Sequence, residues 1–383
     1  MDIYFDNSAT TQINKEVLEE MMPYLTDIYG NPSSIYSLGR RAKKGIDLAR
    51  KRIASSLNCN INEIFFTNSG TESDNWAIKG VALANKKRGR HIITTSIEHH
   101  AVLNTCKYLE TEGFEVTYLP VKKNGVVDID SLKKEIREDT VLISVMYANN
   151  EIGTIQPIKE IAKITHEKGI YFHTDAVQAV GNIDIDLKDL DVDLLTYSGH
   201  KINGPKGIGV LYIKQGTKIT NLLHGGEQEK GKRAGTENVP GIIGIGKATE
   251  LATEGIKQKA IYLENLRDKC INGIMENIPD TILNGDPVNR LPGNINVCFK
   301  YIEGESILLM LDQLGIAASS GSACTSASLE PSHVLLAIGL PHEIAHGSLR
   351  LSFSKENNEK EIEYLLTVLP NIVENLRRMS PLK

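Results

Sequence analysis

Between residues 60 and 215, short runs of β-branched and aromatic residues alternate with stretches whose apolar positions recur at helical spacing. The runs are Glu63-Ile-Phe-Phe66, His91-Ile-Ile-Thr94, Phe114-Glu-Val-Thr-Tyr118, Val141-Leu-Ile-Ser-Val145, Ile170-Tyr-Phe-His173 and Leu194-Leu-Thr-Tyr197. Such alternation predicts βαβ units around a mostly parallel sheet. Ligands of open α/β sheets sit beyond the carboxyl ends of the strands, so the polar residues directly after the runs are the first candidates for chemistry. They are Asn68-Ser-Gly-Thr-Glu72, Glu98-His-His100, Asn149-Asn-Glu151, Asp175 with Gln178, and Ser198-Gly-His-Lys201. Five strand ends are expected to converge on one pocket.

Two helical stretches precede the sheet, roughly Lys15 to Tyr24 and Ser37 to Leu57, separated by the turn-forming cluster Gly30-Asn-Pro-Ser-Ser34. After about residue 238 the pattern changes. A long helical region passes through Glu264-Asn-Leu-Arg267, and strands follow near Thr281 and at Ile295-Asn-Val-Cys298. A helix from Glu305 to Leu314, a strand at Ser348-Leu-Arg-Leu-Ser352 and a helix from Lys360 to Arg378 complete the pattern. The organisation expected is an α/β large domain over residues 15–258 and a smaller α+β domain built from 1–14 and 259–383.

The 383 residues exceed what one core usually supports, which agrees with two domains. A hydrophobic fraction of 41% and a charged fraction of 24% argue against disorder. Net charge is -5 with Lys and Arg dispersed, so no footprint for a nucleic-acid backbone is present. The start is acidic and no stretch approaches the roughly 20 apolar residues of a membrane span, from which a cytoplasmic location is expected. The five cysteines, 59, 106, 270, 298 and 324, are scattered and odd in number, which suits reduced thiols rather than disulfides or a metal site.

Ser69-Gly70-Thr71 follows a strand and opens a helix, where backbone N–H groups and a hydroxyl receive phosphate at the positive end of the helix dipole; the same triplet also reads as a plain cap. Asp175 ends an apolar strand, where a carboxylate needs a cationic partner to stay ionised; a pyridinium nitrogen would supply one. Lys201 comes one βα unit later. Schiff-base chemistry needs a lysine amine that can become neutral, which burial and nearby positive charge promote. A strand-end Asp, a Lys one unit on and an upstream phosphate turn are the recurring parts of a pyridoxal-phosphate site.

With these parts in place the chain resembles, over essentially its whole length, the cysteine desulfurases of the NifS/IscS kind, within the aminotransferase-like fold-type I enzymes. The matching segments are Phe5-Asp-Asn-Ser-Ala-Thr-Thr11, Gly30-Asn-Pro-Ser-Ser34, Thr71-Glu-Ser-Asp-Asn75, Glu98-His99, Asn149-Asn-Glu-Ile-Gly153, His173-Thr-Asp-Ala-Val-Gln178, Ser198-Gly-His-Lys201, Gly235-Thr236 and Ser319-Ser-Gly-Ser-Ala-Cys-Thr-Ser326. The resemblance implies that Gly70, Thr71, Ser198 and His200 hold the phosphate of pyridoxal 5'-phosphate and that Lys201 bonds its aldehyde carbon. Asp175 would pair with the ring nitrogen, and Asn150 and Gln178 would lie near the ring hydroxyl. His99 would stack on the ring, and its ordinary pKa of about 6.5 suits it to moving protons at neutral pH. Arg350, with Asn150, would bind the substrate carboxylate. Arg233-Ala-Gly-Thr236 would reach the neighbouring subunit's phosphate, so the resemblance also implies a homodimer with Thr236 contributed across the interface.

Cys324 lies in Ala318-Ser-Ser-Gly-Ser-Ala-Cys-Thr-Ser-Ala327, a small and polar stretch that reads as a loop in which a thiol can take sulfur and carry it away. The reaction implied converts L-cysteine to L-alanine and leaves a persulfide on Cys324. Its sulfur would pass to an acceptor such as an iron–sulfur scaffold or a tRNA-thiolation protein. Selenocysteine lyase and transaminase activity are the alternatives within pyridoxal chemistry, and a transaminase has no use for Cys324. A non-enzymatic binding role stands outside it. Gln12 and Tyr36 replace the Pro and His frequent in relatives, and the chain ends at Met379-Ser-Pro-Leu-Lys383, where housekeeping relatives continue into a tail that contacts a scaffold.

Overall fold

The computed structural model describes residues 2–320 and 331–381. Cys324 lies outside them. Numbered along the chain, the strands are β1 (Ile3–Tyr4), β2 (Ile64–Thr67), β3 (His91–Thr95), β4 (Glu115–Leu119), β5 (Thr140–Ser144), β6 (Tyr171–Asp175), β7 (Leu194–Ser198), β8 (Gly209–Ile213), β9 (Thr281–Leu283), β10 (Asn294–Phe299), β11 (Ile316–Ala317) and β12 (Ser348–Ser352). Among the described residues they form a seven-stranded sheet in the order β2-β8-β7-β6-β5-β3-β4, a three-stranded sheet β12-β10-β9, and the short pair β1-β11.

The large sheet is parallel through β7, β6, β5, β3 and β4. β8 runs antiparallel to both β7 and β2, so β2 points the same way as β7. The carboxyl ends of β2, β3, β5, β6 and β7 therefore open at one edge. The six apolar runs become β2 to β7, with bounds displaced by one or two residues. β8 was not singled out because Gly207 and Gly209 interrupt its run and its strand follows Lys201 without a helix.

Helices cover both faces of this sheet, as expected where strands are buried on both sides. Ser37–Ser56 and Val239–Thr253 pack with Ile143, Phe172 and Leu195 on one face. Gly70–Asn85 and His100–Thr111 pack with Ile92, Leu142 and Leu194 on the other, Trp76 being fully buried there. A separate apolar cluster joins Ile256–Asn277 and Glu359–Met379 to β10 and β12, and Ile3 and Phe5 from the chain start belong to it. Among the described residues no helix is long and apolar enough to cross a membrane.

Gly209 begins β8 against the Ser69 turn. A Cβ there would stand 2.5 Å from the Ser69 carbonyl carbon and 2.6 Å from its oxygen, and neither backbone atom can rotate away. Gly209→Ala is therefore expected to lower unfolding free energy by about 1–3 kcal/mol, the usual scale of overpacking. Urea unfolding measures it, and an unchanged midpoint would mean that the turn yields freely.

Candidate active site

At the strand-end edge lies a cavity of about 260 Å³, lined by Ser69, Gly70, Thr71, His99, Asn150, Asp175, Gln178, Ser198, His200, Lys201 and Arg350 together with Ser8, Ala9, Asp74, Met146, Ala148 and Val177. The geometry thus brings together all but two of the predicted residues. Thr236 is exposed and does not line this cavity, and Cys324 is outside the described residues.

Each wall has a local cause. Ser69 caps the helix Gly70–Asn85, its Oγ accepting from Glu72 N at 3.1 Å, and its carbonyl accepts from Ser73 N. The N–H groups of Gly70 and Thr71 are left for a ligand at the positive helix end. The cap and the anion site are one device. Gly70 also keeps the wall thin, since a Cβ there would meet Val177 Cγ2 at 3.0 Å. Ser198 donates from Oγ to Ile208 O at 3.3 Å, and His200 Nδ1 meets Thr10 Oγ1 at 3.1 Å.

The Lys201 ammonium donates to the carbonyls of Ser8 and Ala9, the latter at 2.8 Å, and Gln178 Nε2 donates to Ser8 O at 3.0 Å. Ser8 and Ala9 were missed as site residues, although the Phe5–Thr11 segment was noted for its resemblance. Arg350, 2% exposed, donates from Nη2 to Asp6 Oδ1 at 2.8 Å and from Nη1 to Asn150 O at 3.2 Å. Its Nε has no hydrogen-bond partner among the described residues. Asp6, half of this ion pair, was likewise not singled out.

His99 is the N-cap of His100–Thr111, with Nδ1 accepting from Ala101 N at 3.1 Å, so Nε2 carries the proton. Burial, then Lys201, His100 and His333, push its pKa down to about 4. The near-neutral proton carrier expected from an ordinary histidine is thus a neutral ring with one nitrogen engaged. His200 is lowered to about 4 by burial and by Lys201 and Lys206.

The floor is acidic. Burial raises Asp175 to about 6 against the opposing pull of Val177 N–H and Lys201, and raises Glu98 to about 8. Asp74, one helical turn after Gly70 and so on the same helix face, is held well above the carboxylate range by burial and then by Asp175. That i,i+4 spacing was the available signal for it. A cavity with spare N–H donors at its rim, an orphaned guanidinium nitrogen and buried carboxyls short of positive charge fits a ligand carrying a phosphate, a carboxylate and a cationic ring. Among the described residues no group of three or more His, Cys, Asp or Glu could hold a metal.

Residues 3–365 match the family described as aminotransferase class-V. The chain belongs to the class-V aminotransferase family. Within it, the cysteine desulfurase IscS of Methanosarcina thermophila is 62% identical over 380 residues, covering 99% of this chain and 94% of that protein. The cysteine desulfurase IscS of Dictyoglomus turgidum is 55% identical over 382 residues, covering 100% and 97%. Among solved class-V structures, a NifS-like protein superposes with a TM-score of 0.93 at 42% identity, covering 98% of this chain and all of its own. SspA in complex with cysteine superposes with a TM-score of 0.81 at 39% identity, covering 92% and 99%.

Glu98 makes the acidic floor testable. Unfolded, it loses its proton near 4.5; folded, it keeps it to about 8. Between those values the folded state binds the extra proton, so this contribution to stability falls as pH rises through the window and is level above it. The urea stability of wild type minus that of Glu98→Gln should therefore drop between pH 4.5 and 8 by an amount on the order of a few kcal/mol. A difference independent of pH would contradict the raised pKa.

Proposed function

We propose that this protein is a pyridoxal-phosphate-dependent cysteine desulfurase, converting L-cysteine to L-alanine with transfer of sulfur to Cys324. The observation that carries the reading is the convergence of Lys201, Asp175, the Gly70–Thr71 helix terminus and the partly unpartnered Arg350 on one cavity. Relatives named cysteine desulfurase at 55% and 62% identity support the substrate.

In this reading Gly70, Thr71, Ser198 and His200 hold the phosphate, Asp175 faces the ring nitrogen, Gln178 and Asn150 flank the ring, and His99 covers it. When bound, the cofactor supplies an electron sink for a carbanion at the substrate α-carbon. Arg350 takes the substrate carboxylate while Asp6 and the Asn150 carbonyl keep its plane fixed. Lys201, on leaving the Ser8 and Ala9 carbonyls, takes the α-proton on a neutral Nζ. His99, lining the same cavity with Nε2–H, is the group that hands on a proton in these steps. The Cys324 thiolate attacks the substrate sulfur, its bond to the β-carbon breaks, and protonation of the three-carbon fragment gives alanine. The persulfide left on Cys324 is the form in which sulfur reaches an acceptor protein. Thr236, exposed and outside its own cavity, would complete the site of the partner in a homodimer. Residues 15–258 carry the cofactor in this assignment; 1–14 and 259–383 carry Arg350 and Cys324.

The purified protein loaded with pyridoxal phosphate should be yellow, and with L-cysteine and a thiol reductant should release alanine and sulfide in equal amounts. Lys201→Ala should abolish both the absorbance and the turnover. Cys324→Ser should keep the absorbance and lose sulfide release; sulfide at the wild-type rate from that variant would rule out the thiol's role. Arg350→Lys should raise KM for L-cysteine roughly tenfold or more, as expected when a charge-assisted hydrogen bond worth about 1.5–3 kcal/mol is lost. A KM within twofold would remove Arg350 from the carboxylate site.

A further inference from the structure

The turn at 68–71, which leaves the Gly70 and Thr71 N–H groups for a ligand, is gripped from outside the cavity. Glu72 Oε2 accepts from Asn68 N at 2.9 Å and Glu72 N donates to Ser69 Oγ at 3.1 Å, so this one residue closes the turn at the helix start. The Arg233 guanidinium meets the same carboxylate as a fork, Nε donating to Oε1 at 2.8 Å and Nη2 to Oε2 at 3.2 Å. Neither Arg233 nor Glu72 lines the cavity, and Arg233 is 9% exposed. The resemblance places Arg233 in a segment that reaches the neighbouring subunit. In the fold it turns inward onto its own chain, while Thr236, three residues on, is exposed.

Arg233 is aimed by a backbone that residues with a Cβ rarely adopt. Glu229, Lys230 and Gly231 are consecutive left-handed residues with φ of 45°, 60° and 72°, and glycine alone takes that region without strain. Long-range contacts hold the other two there. The buried Glu229 carboxylate accepts from Arg50 Nη1 at 2.9 Å, Arg50 Nη2 at 2.6 Å and Phe66 N at 3.0 Å, and Arg50 also donates to Ile64 O. Lys230 Nζ donates to Asn62 Oδ1 at 2.9 Å, and Asn221 Nδ2 donates to Gly231 O at 2.7 Å. Ile64 and Phe66 belong to β2, which runs directly into the turn at 68–71. The strand that delivers the turn thus also moors the segment that grips it. Strain held in place by its surroundings in this way points to a functional segment.

Charge gives the grip its consequence. A carboxylate in the first turn of a helix draws on the same positive end as a bound anion. Glu72 directly follows Thr71, so without a cation beside it its charge would repel a phosphate held by Gly70 and Thr71. Both side chains of the pair are largely withdrawn from water, which would leave that repulsion poorly screened. We propose that Arg233 is a positioning residue for the cofactor phosphate: it neutralises Glu72 and fixes the turn at 68–71, acting through Glu72 without touching the phosphate. The role rests on the pyridoxal-phosphate reading of the cavity.

The test compares dissociation constants for pyridoxal phosphate and for pyridoxal, which lacks the phosphate, by fluorescence titration of protein stripped of cofactor. Arg233→Met should weaken pyridoxal phosphate about tenfold or more and pyridoxal by no more than about threefold. Equal losses for the two ligands, or no loss, would overturn the role. Adding Glu72→Gln, whose side-chain oxygen still accepts from Asn68 N, removes the uncompensated charge and should return the double variant to within about threefold of wild type. A double variant as weak as Arg233→Met would mean that Arg233 reaches a phosphate directly, and would overturn the proposal. Arg233→Lys keeps the ion pair, so it serves even where the Met variant does not fold, and should bind pyridoxal phosphate within about threefold of wild type. A tenfold loss there would again assign the contact to the guanidinium itself. Wild type that binds neither ligand would overturn the reading of the cavity, and this role with it.

Discussion

Three carboxyls, Asp74, Glu98 and Asp175, are buried at one end of the large sheet, and Lys201 is the cation beside them. Burial without compensation penalises the charged form of each, so the site is short of positive charge and holds protons in its place. That deficit is built by the fold. β6 presents Asp175 at its carboxyl end, the loop after β3 carries Glu98, and the helix after β2 turns Asp74 toward both. Paired ionisation would cost several kcal/mol at this burial. A cationic group of a ligand at this end of the cavity would offset part of that cost.

The opposite sign prevails at the rim. The first N–H groups of Gly70–Asn85 and the Arg350 guanidinium lie on the cavity wall, and the burial of His99 and His200 keeps their rings neutral. A molecule with a cationic ring and an anionic arm is thereby oriented along one direction. The Phe5–Thr11 segment ties the arrangement together. Phe5 sits in the apolar cluster around β10 and β12, Asp6 holds Arg350, the Ser8 and Ala9 carbonyls hold Lys201, and Thr11 N donates to His200 O at 2.9 Å. The chain start thus couples the strand bearing Arg350 to the turn bearing Lys201.

The parallel strands and the residues at their ends were legible in the sequence, because a buried parallel strand reads as an apolar run and its carboxyl end as an abrupt polar cluster. Lys201, Asp175 and Thr71 fall at such junctions. β8 escaped because glycines dilute its run, and its antiparallel insertion depends on a pairing between β2 and β7 that local pattern does not encode. Ser8, Ala9 and Asp6 escaped for a related reason. Their importance comes from contacts nearly 200 or more residues away along the chain, and two of them act through backbone carbonyls that any residue would provide. Asp74 was hidden by its helix, where a carboxylate is ordinarily a solvated side chain. The charge state of His99 was not legible either, since Lys201, His100 and His333 surround it only in three dimensions.

Arg350 illustrates how such long-range contacts prepare a site. An arginine on an exposed strand loses side-chain entropy when it binds a carboxylate, and that loss subtracts from affinity. Here the guanidinium is already fixed by Asp6 at Nη2 and by the Asn150 carbonyl at Nη1, and the buried Nε has no hydrogen-bond partner among the described residues. The second N–H on each Nη leaves donors for a carboxylate without displacing either partner. Asp6 also offsets the charge of the buried guanidinium, which a neutral anchor would not do. The arrangement gives up part of the attraction for substrate in exchange for a receptor whose plane is set before substrate arrives. Such an exchange favours a ligand held in one pose over tighter binding in a variable one.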